Sequence, residues 1–215
     1  MPVRAKICGV NSAAAVEAAV SGGAAFVGFN FYAPSPRAVT PETAADLAAA
    51  VPAGVMKVGL LVDDPDERIA EILARVPLDL LQLHGKEAPD RVAAIRRRFG
   101  VPVIKVVKIA EAADLAVADQ YLGHADWLLF DAKTPPQMTG ALPGGNALAF
   151  DWQLLAGRSW PLPWMLSGGL TADNLAEAVR TSGAQAVDVS SGVESKPGRK
   201  DPARIASFLA AAARL

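Results

Sequence analysis

Two hydrophobic patterns alternate along this chain. Short, near-continuous apolar runs are separated by longer Ala-rich stretches whose apolar positions recur at helical spacing. The runs predict strands over residues 5–8, 25–31, 56–62, 78–83, 103–107, 126–130, 164–166 and 186–189. Each is apolar on both faces, as expected of a parallel sheet covered on both sides.

The stretches between them carry helix signals. Asn11 or Ser12 caps the first helix, which Gly22-Gly23 closes. Thr40-Pro41-Glu42 and Asp63-Asp64-Pro65 open the next two. Further helices are expected over 88–99, with Arg91, Arg96, Arg97 and Arg98 on its wet face, and over 111–120. A short one begins at Asp151-Trp152, another runs over 171–180 with Thr171 as its cap, and the last follows Asp201-Pro202. Pro34-Ser35-Pro36-Arg37 must be a loop, because two prolines block regular structure. A long Pro- and Gly-rich loop covers 133–149.

Eight strands and eight helices in strict alternation point to an α/β protein with one domain over residues 1–215, a (β/α)₈ or TIM barrel. A doubly wound open sheet is the alternative, but it would place its Gly-rich phosphate turn after the first strand. Here the Gly-rich turns follow the last two, where barrels bind phosphate.

Composition narrows the function. A 52% apolar content supports a large core, and a net charge of -1 gives no reason to expect nucleic acid or a membrane surface as partner. The single cysteine has no partner for an internal disulfide, which suits a reducing compartment. Met1-Pro2-Val3-Arg4 lacks the character of a secretory signal, and no apolar run has the length of a membrane span. The expectation is a soluble cytoplasmic protein.

In a barrel the C-terminal ends of the strands face one mouth. There the chain places Cys8, Asn30, Asp63, His84, Lys108, Asp131, Ser167-Gly168-Gly169 and Ser190-Ser191-Gly192, a far more polar set than the strands below. The turns at Gly168-Gly169 and Ser190-Ser191-Gly192 fit a phosphate dianion held by backbone N–H groups and hydroxyls, although glycine turns also simply close loops. Cys8 and Asp131, across the rim from each other, make a base and acid pair. Each has a plainer reading, the thiol as a small buried residue and the carboxylate as a cap. An acid must carry a proton when it acts, so the Asp131 carboxyl is expected to titrate above its ordinary range. Lys6 shares the face of Cys8 and would either favour the thiolate or be held by Asp131 or Asp188. Arg37, in its proline-flanked loop, suits a substrate carboxylate. His84 stays open between a ligand, an orienting group and a cap.

The chain resembles the phosphoribosylanthranilate isomerases of tryptophan biosynthesis. The resemblance spans nearly its whole length and rests on Lys6-Ile7-Cys8-Gly9, Ser35-Pro36-Arg37, Gln82-Leu83-His84-Gly85, Leu129-Phe130-Asp131-Ala132, Phe150-Asp151-Trp152, Ser167-Gly168-Gly169-Leu170 and Asp188-Val189-Ser190-Ser191-Gly192-Val193-Glu194. It implies a (β/α)₈ barrel and an Amadori rearrangement of N-(5-phosphoribosyl)anthranilate to 1-(2-carboxyphenylamino)-1-deoxyribulose 5-phosphate, with no metal or organic cofactor. It implies Asp131 as general acid and Cys8 as general base. Arg37 would hold the anthranilate carboxylate, with His84 and Asp188 lining the substrate. Gly168, Gly169, Ser190, Ser191 and Gly192 would grip the phosphate of this small-molecule phosphoribosyl substrate. The state implied is a monomer or homodimer. One departure is Ala147 in Gly144-Gly145-Asn146-Ala147, where the family commonly has another glycine; it leaves the loop's conformation open.

Two other readings compete. The related barrel isomerase of histidine synthesis uses two aspartates, and Cys8 speaks against it. A barrel that only binds a phosphorylated ligand would not need an acid and a base.

Overall fold

The computed structural model describes residues 2–135, 137–138 and 142–215. Eight parallel strands close into a barrel: β1 (Arg4–Cys8), β2 (Phe26–Asn30), β3 (Met56–Leu61), β4 (Leu80–Leu83), β5 (Val103–Ile109), β6 (Trp127–Ala132), β7 (Trp164–Leu166) and β8 (Ala186–Val189). β8 returns to pair with β1, setting Lys6 opposite Asp188. Closure bears out the barrel and excludes the open sheet.

Among the described residues seven α-helices cover the barrel: α1 (Ala13–Ser21), α2 (Pro41–Ala49), α3 (Asp66–Arg75), α4 (Pro89–Phe99), α5 (Ala116–Asp119), α6 (Leu175–Ser182) and α7 (Pro202–Ala212). Caps set their starts. The Ser12 hydroxyl accepts from the Ala15 N–H, the Thr40 hydroxyl from Thr43, and the Asp201 carboxylate from Ala203 and Arg204.

The expectation of eight helices needs correction. Among its described residues the connection after β6 has only a 3₁₀ turn, over Trp152–Leu155, started by Asp151 accepting from the Gln153 N–H. The stretch 111–120 is a 3₁₀ turn, Ala112–Leu115, running into the single turn of α5. Glu111 and Asp114 cap each other's backbone there, which winds the start too tightly for a long α-helix. α6 begins at Leu175 rather than Thr171. Thr171 and Asn174 instead exchange side-chain bonds with each other's N–H groups ahead of it. A further pair of antiparallel strands, β9 (Glu194–Lys196) and β10 (Arg199–Lys200), was not expected.

Strand alternation divides the interior. Phe26, Val58, Leu80, Ile104, Val106, Leu129, Met165 and Ala186 form an apolar plug. The larger apolar core lies between strands and helices, with Ile7, Val27, Leu61, Leu81, Val107, Phe130 and Val187 from the intervening strand positions. Arg4 stacks its guanidinium over the Phe26 ring below the plug, 4.5 Å from the ring centroid. Further along the inward rows of β1 and β4 to β8 the side chains become polar: Lys6 and Cys8, Gln82 and His84, Lys108, Asp131, Ser167, and Asp188. One register thus builds a dry base and carries the chemistry above it.

Candidate active site

The mouth is lined by Cys8, Arg37, His84, Asp131, Gly168, Gly169, Asp188, Ser190, Ser191 and Gly192, so the structure brings every expected site residue to one cleft. Asn30, Tyr32 and Ser35 join them, as does the segment 142–148 after β6. Asp63 does not; its carboxylate turns outward to accept from the Lys86 N–H at 2.7 Å.

Cys8 ends β1 almost fully buried. Burial pushes its thiol upward, and the ammonium groups of Lys6 and Lys200 offset this only in part. Lys6 is itself fully enclosed and donates to Asp188 Oδ1 at 2.8 Å. Burial opposes its charge, but the carboxylate and the thiol more than compensate, so Lys6 stays an ammonium. Gly28 on β2 makes room for both groups. A Cβ there would stand 3.1 Å from Lys6 Nζ and 3.2 Å from Cys8 Sγ. The other oxygen of Asp188 accepts from the Ser167 hydroxyl at 3.1 Å. Asp188 therefore organises the floor of the site, with both its oxygens already engaged.

Asp131 corrects an expectation. Burial alone would raise its carboxyl, but the Lys108 ammonium, at 2.6 Å from Oδ2, holds it far below the usual carboxylate range. In the free protein Asp131 is a carboxylate. The sequence put Lys108 at the rim but not against Asp131. β5 and β6 pair Lys108 with Asp131 directly, and that register decides the matter.

His84 is buried, and burial together with Lys108 lowers its basicity, so the ring is neutral. Its Nε2 lies 2.7 Å from Lys108 Nζ and its Nδ1 3.1 Å from the Gln82 amide. An ammonium at Nε2 requires that nitrogen to accept, which places the ring proton on Nδ1. Turning the Gln82 amide over puts its otherwise unpartnered Oε1 on that proton.

Arg37 is held from behind. Its Nε and Nη2 donate to the two oxygens of Glu194 at 2.7 and 2.9 Å, and Nη2 also reaches the Gly145 carbonyl at 3.2 Å. That leaves the Nη1 side of the fork for a ligand. Glu194 Oε1 also accepts from the buried Lys200 at 2.8 Å. Burial would raise the Glu194 carboxyl, but Arg37 and Lys200 lower it. Lys200 also donates to the Ser190 carbonyl and hydroxyl, and that hydroxyl donates to the Cys8 carbonyl at 3.2 Å. The Ser190 side chain is thus committed to the protein.

Glu194 and Lys200 were missed as site residues, although Glu194 closes one of the motifs. They face each other across β9 and β10, whose turn at Gly198 packs on Pro36 and accepts from Asn11 at 2.9 Å. Two charged residues six apart carry no signal until that hairpin is known.

At the far corner Gly168 and Gly169 adopt φ of 90° and 63°, where a side chain would be strained, and Gly192 leaves no space for a Cβ beside the Leu170 carbonyl. Ala147 also has a positive φ, 56°, so the loop keeps a left-handed turn despite its side chain.

A family model described as N-(5'-phosphoribosyl)anthranilate (PRA) isomerase matches residues 5–211. The N-(5'-phosphoribosyl)anthranilate isomerase of Rhodospirillum centenum is 61% identical over 215 residues, all of both chains. Phosphoribosyl anthranilate isomerase of Thermotoga maritima superposes with a TM-score of 0.88 at 36% identity, covering 99% of this chain and 100% of that one. A second structure, solved with reduced 1-(o-carboxyphenylamino)-1-deoxyribulose 5-phosphate, has a TM-score of 0.83 at 33% identity over 99% of this chain and 100% of its own. A polar rim with a thiol and a carboxylate on one barrel, matched over its whole length, leaves one assignment: the chain belongs to the N-(5'-phosphoribosyl)anthranilate isomerase family.

Proposed function

We propose how this mouth carries out the family's reaction, the isomerisation of N-(5'-phosphoribosyl)anthranilate in tryptophan biosynthesis. The observation that carries the reading is the convergence of Cys8 and Asp131 on one cleft. Asp131 delivers a proton to the ribose ring oxygen. The C1'–O bond breaks, and the anthranilate nitrogen pair closes a Schiff base. The Cys8 thiolate then removes the C2' proton, and the resulting enolamine tautomerises to the ketone. The enol hydroxyl releases a proton as C1' takes one up, so the sum is an isomerisation.

Arg37 presents its Nη1 side to the anthranilate carboxylate while Glu194 fixes the other edge. The phosphate lies against Gly168, Gly169, Ser191 and Gly192. Ser190 supplies main chain only, since its hydroxyl is taken. His84, neutral, and Asp188, engaged on both oxygens, shape the pocket from its walls. Acid and base come from one chain, so a single-domain monomer suffices for activity. The lone buried cysteine fits a reducing cytoplasm, and among the described residues no helix is long and apolar enough to cross a membrane.

The test is turnover of phosphoribosylanthranilate, followed as loss of its fluorescence. Asp131→Asn should lower kcat at least about a hundredfold, the usual order for a general acid. Near-normal kcat in that variant would remove Asp131 from the acid role.

A further inference from the structure

Lys108 ends the inward row of β5, yet it stands behind the cleft rather than among the residues that line it. Its Nζ bridges His84 Nε2 at 2.7 Å and Asp131 Oδ2 at 2.6 Å. Of the three side chains it alone meets solvent appreciably, being 27% exposed against 7% for His84 and 9% for Asp131. The loop after β6 covers the inner pair; a Cβ on Gly144 would stand 2.6 Å from the His84 ring and 3.2 Å from Asp131 Oδ2.

This arrangement meets a difficulty in the acid step. A carboxylate paired with an ammonium has no proton to give, and the site must load one between substrate arrival and ring opening. We propose that Lys108 is the positioning and proton-holding residue for Asp131: it fixes Oδ2 beside His84 and passes it the proton that the ring oxygen receives. The inference rests on Asp131 being the acid.

Substrate brings a carboxylate and a phosphate into the cleft and displaces its water. Like charge and lost solvation both favour the neutral form of a carboxyl. An N–H proton of Lys108 moves along the hydrogen bond to Oδ2, leaving an amine and a carboxylic acid. The acid gives that proton to the ring oxygen as the C1'–O bond breaks. When the enol hydroxyl later releases its proton, Asp131 returns it to the amine, and the solvent-facing side of Lys108 equilibrates with water between turnovers. Neutral His84 accepts from Lys108 throughout and keeps Nζ aimed at Oδ2.

Three variants and one control test this. Lys108→Arg keeps a cation and a donor at Oδ2, but a guanidinium does not give up its proton. Lys108→Met removes both functions. Under the proposal each loses about tenfold or more in kcat, while KM and calorimetric binding of a reduced product analogue stay within about threefold. In Lys108→Ala, added methylammonium should restore kcat in proportion to its concentration. Wild-type kcat in Lys108→Arg would reduce Lys108 to a fixed charge and overturn the proposal, as would no amine rescue. Should Lys108→Met fail to fold, Lys108→Arg decides alone. Asp131→Asn is the control. If it turns over normally, the reading beneath fails and takes this one with it. If it is dead while Lys108→Arg and Lys108→Met match wild type, only the role of Lys108 falls.

Discussion

Cys8 and Asp131 start from the wrong protonation states for their tasks. Burial holds the thiol protonated, and Lys108 holds the carboxyl ionised. For Cys8 the consequence can be read in pH. Its titration lies above the ordinary thiol range, so the thiolate fraction still grows through that range. kcat/KM should therefore climb as pH rises past neutrality, and a flat profile there would show that another group takes the C2' proton. Iodoacetamide should label the one thiol slowly at neutral pH and faster at higher pH, with activity falling in step and a product analogue slowing both. Cys8→Ser keeps the shape but offers a hydroxyl far harder to deprotonate, so kcat should collapse while analogue binding survives. These two residues were legible in the sequence because each ends an apolar run. Their charge states were not, because those depend on surroundings that other elements supply: Lys108 on β5 for Asp131, and burial for Cys8.

The units that shape the cleft are loops rather than barrel strands. The hairpin of β9 and β10 fixes Arg37 through Glu194 and Lys200, all three buried. Glu194→Ala would strand two enclosed cations and should cost about 3 kcal/mol of stability by urea denaturation. KM should rise in the same variant as Arg37 loses its aim. Unchanged KM would separate the hairpin from substrate binding. The loop after β6 holds Ala147 at a left-handed φ, which costs a residue with a Cβ roughly 1 kcal/mol. Ala147→Gly should gain up to about that amount, less the entropy of a freer unfolded chain, with kcat close to wild type. A loss of stability would mean that the methyl group packs usefully. Strand positions were readable from apolar runs alone. The short 3₁₀ connections were not, since mutual capping by Glu111 and Asp114 overrode an Ala-rich stretch of good helical propensity.

For the whole molecule, two buried carboxylates tie stability to pH. Asp131 and Glu194 both titrate below their ordinary values when folded. Each adds stability that is fully present above the unfolded carboxyl range, near pH 4, and is lost as pH falls from there toward the folded values. Urea midpoints should therefore drop steeply below about pH 4 in wild type and less steeply in Asp131→Asn. Equal slopes would mean that the Lys108 pairing contributes nothing to folding. The barrel itself was legible from end to end because eight apolar runs recur along the chain, even where a 3₁₀ turn replaces an α-helix between them, and the polar rim followed from that count.

The site joins the two ends of the polypeptide. Lys6 reaches Asp188, Ser190 reaches the Cys8 carbonyl and Arg37 reaches Glu194, each across more than 150 residues. On the ribosome β1 must therefore wait, unpaired along one edge, until β8 has emerged. A nascent chain halted before β8 would have its reactive thiol in hand but no Asp188 to settle Lys6 and no hairpin to aim Arg37. Such a chain should expose Cys8 to alkylation and be inert toward substrate, so competence is switched on when β8 and the hairpin emerge rather than accumulated along the chain.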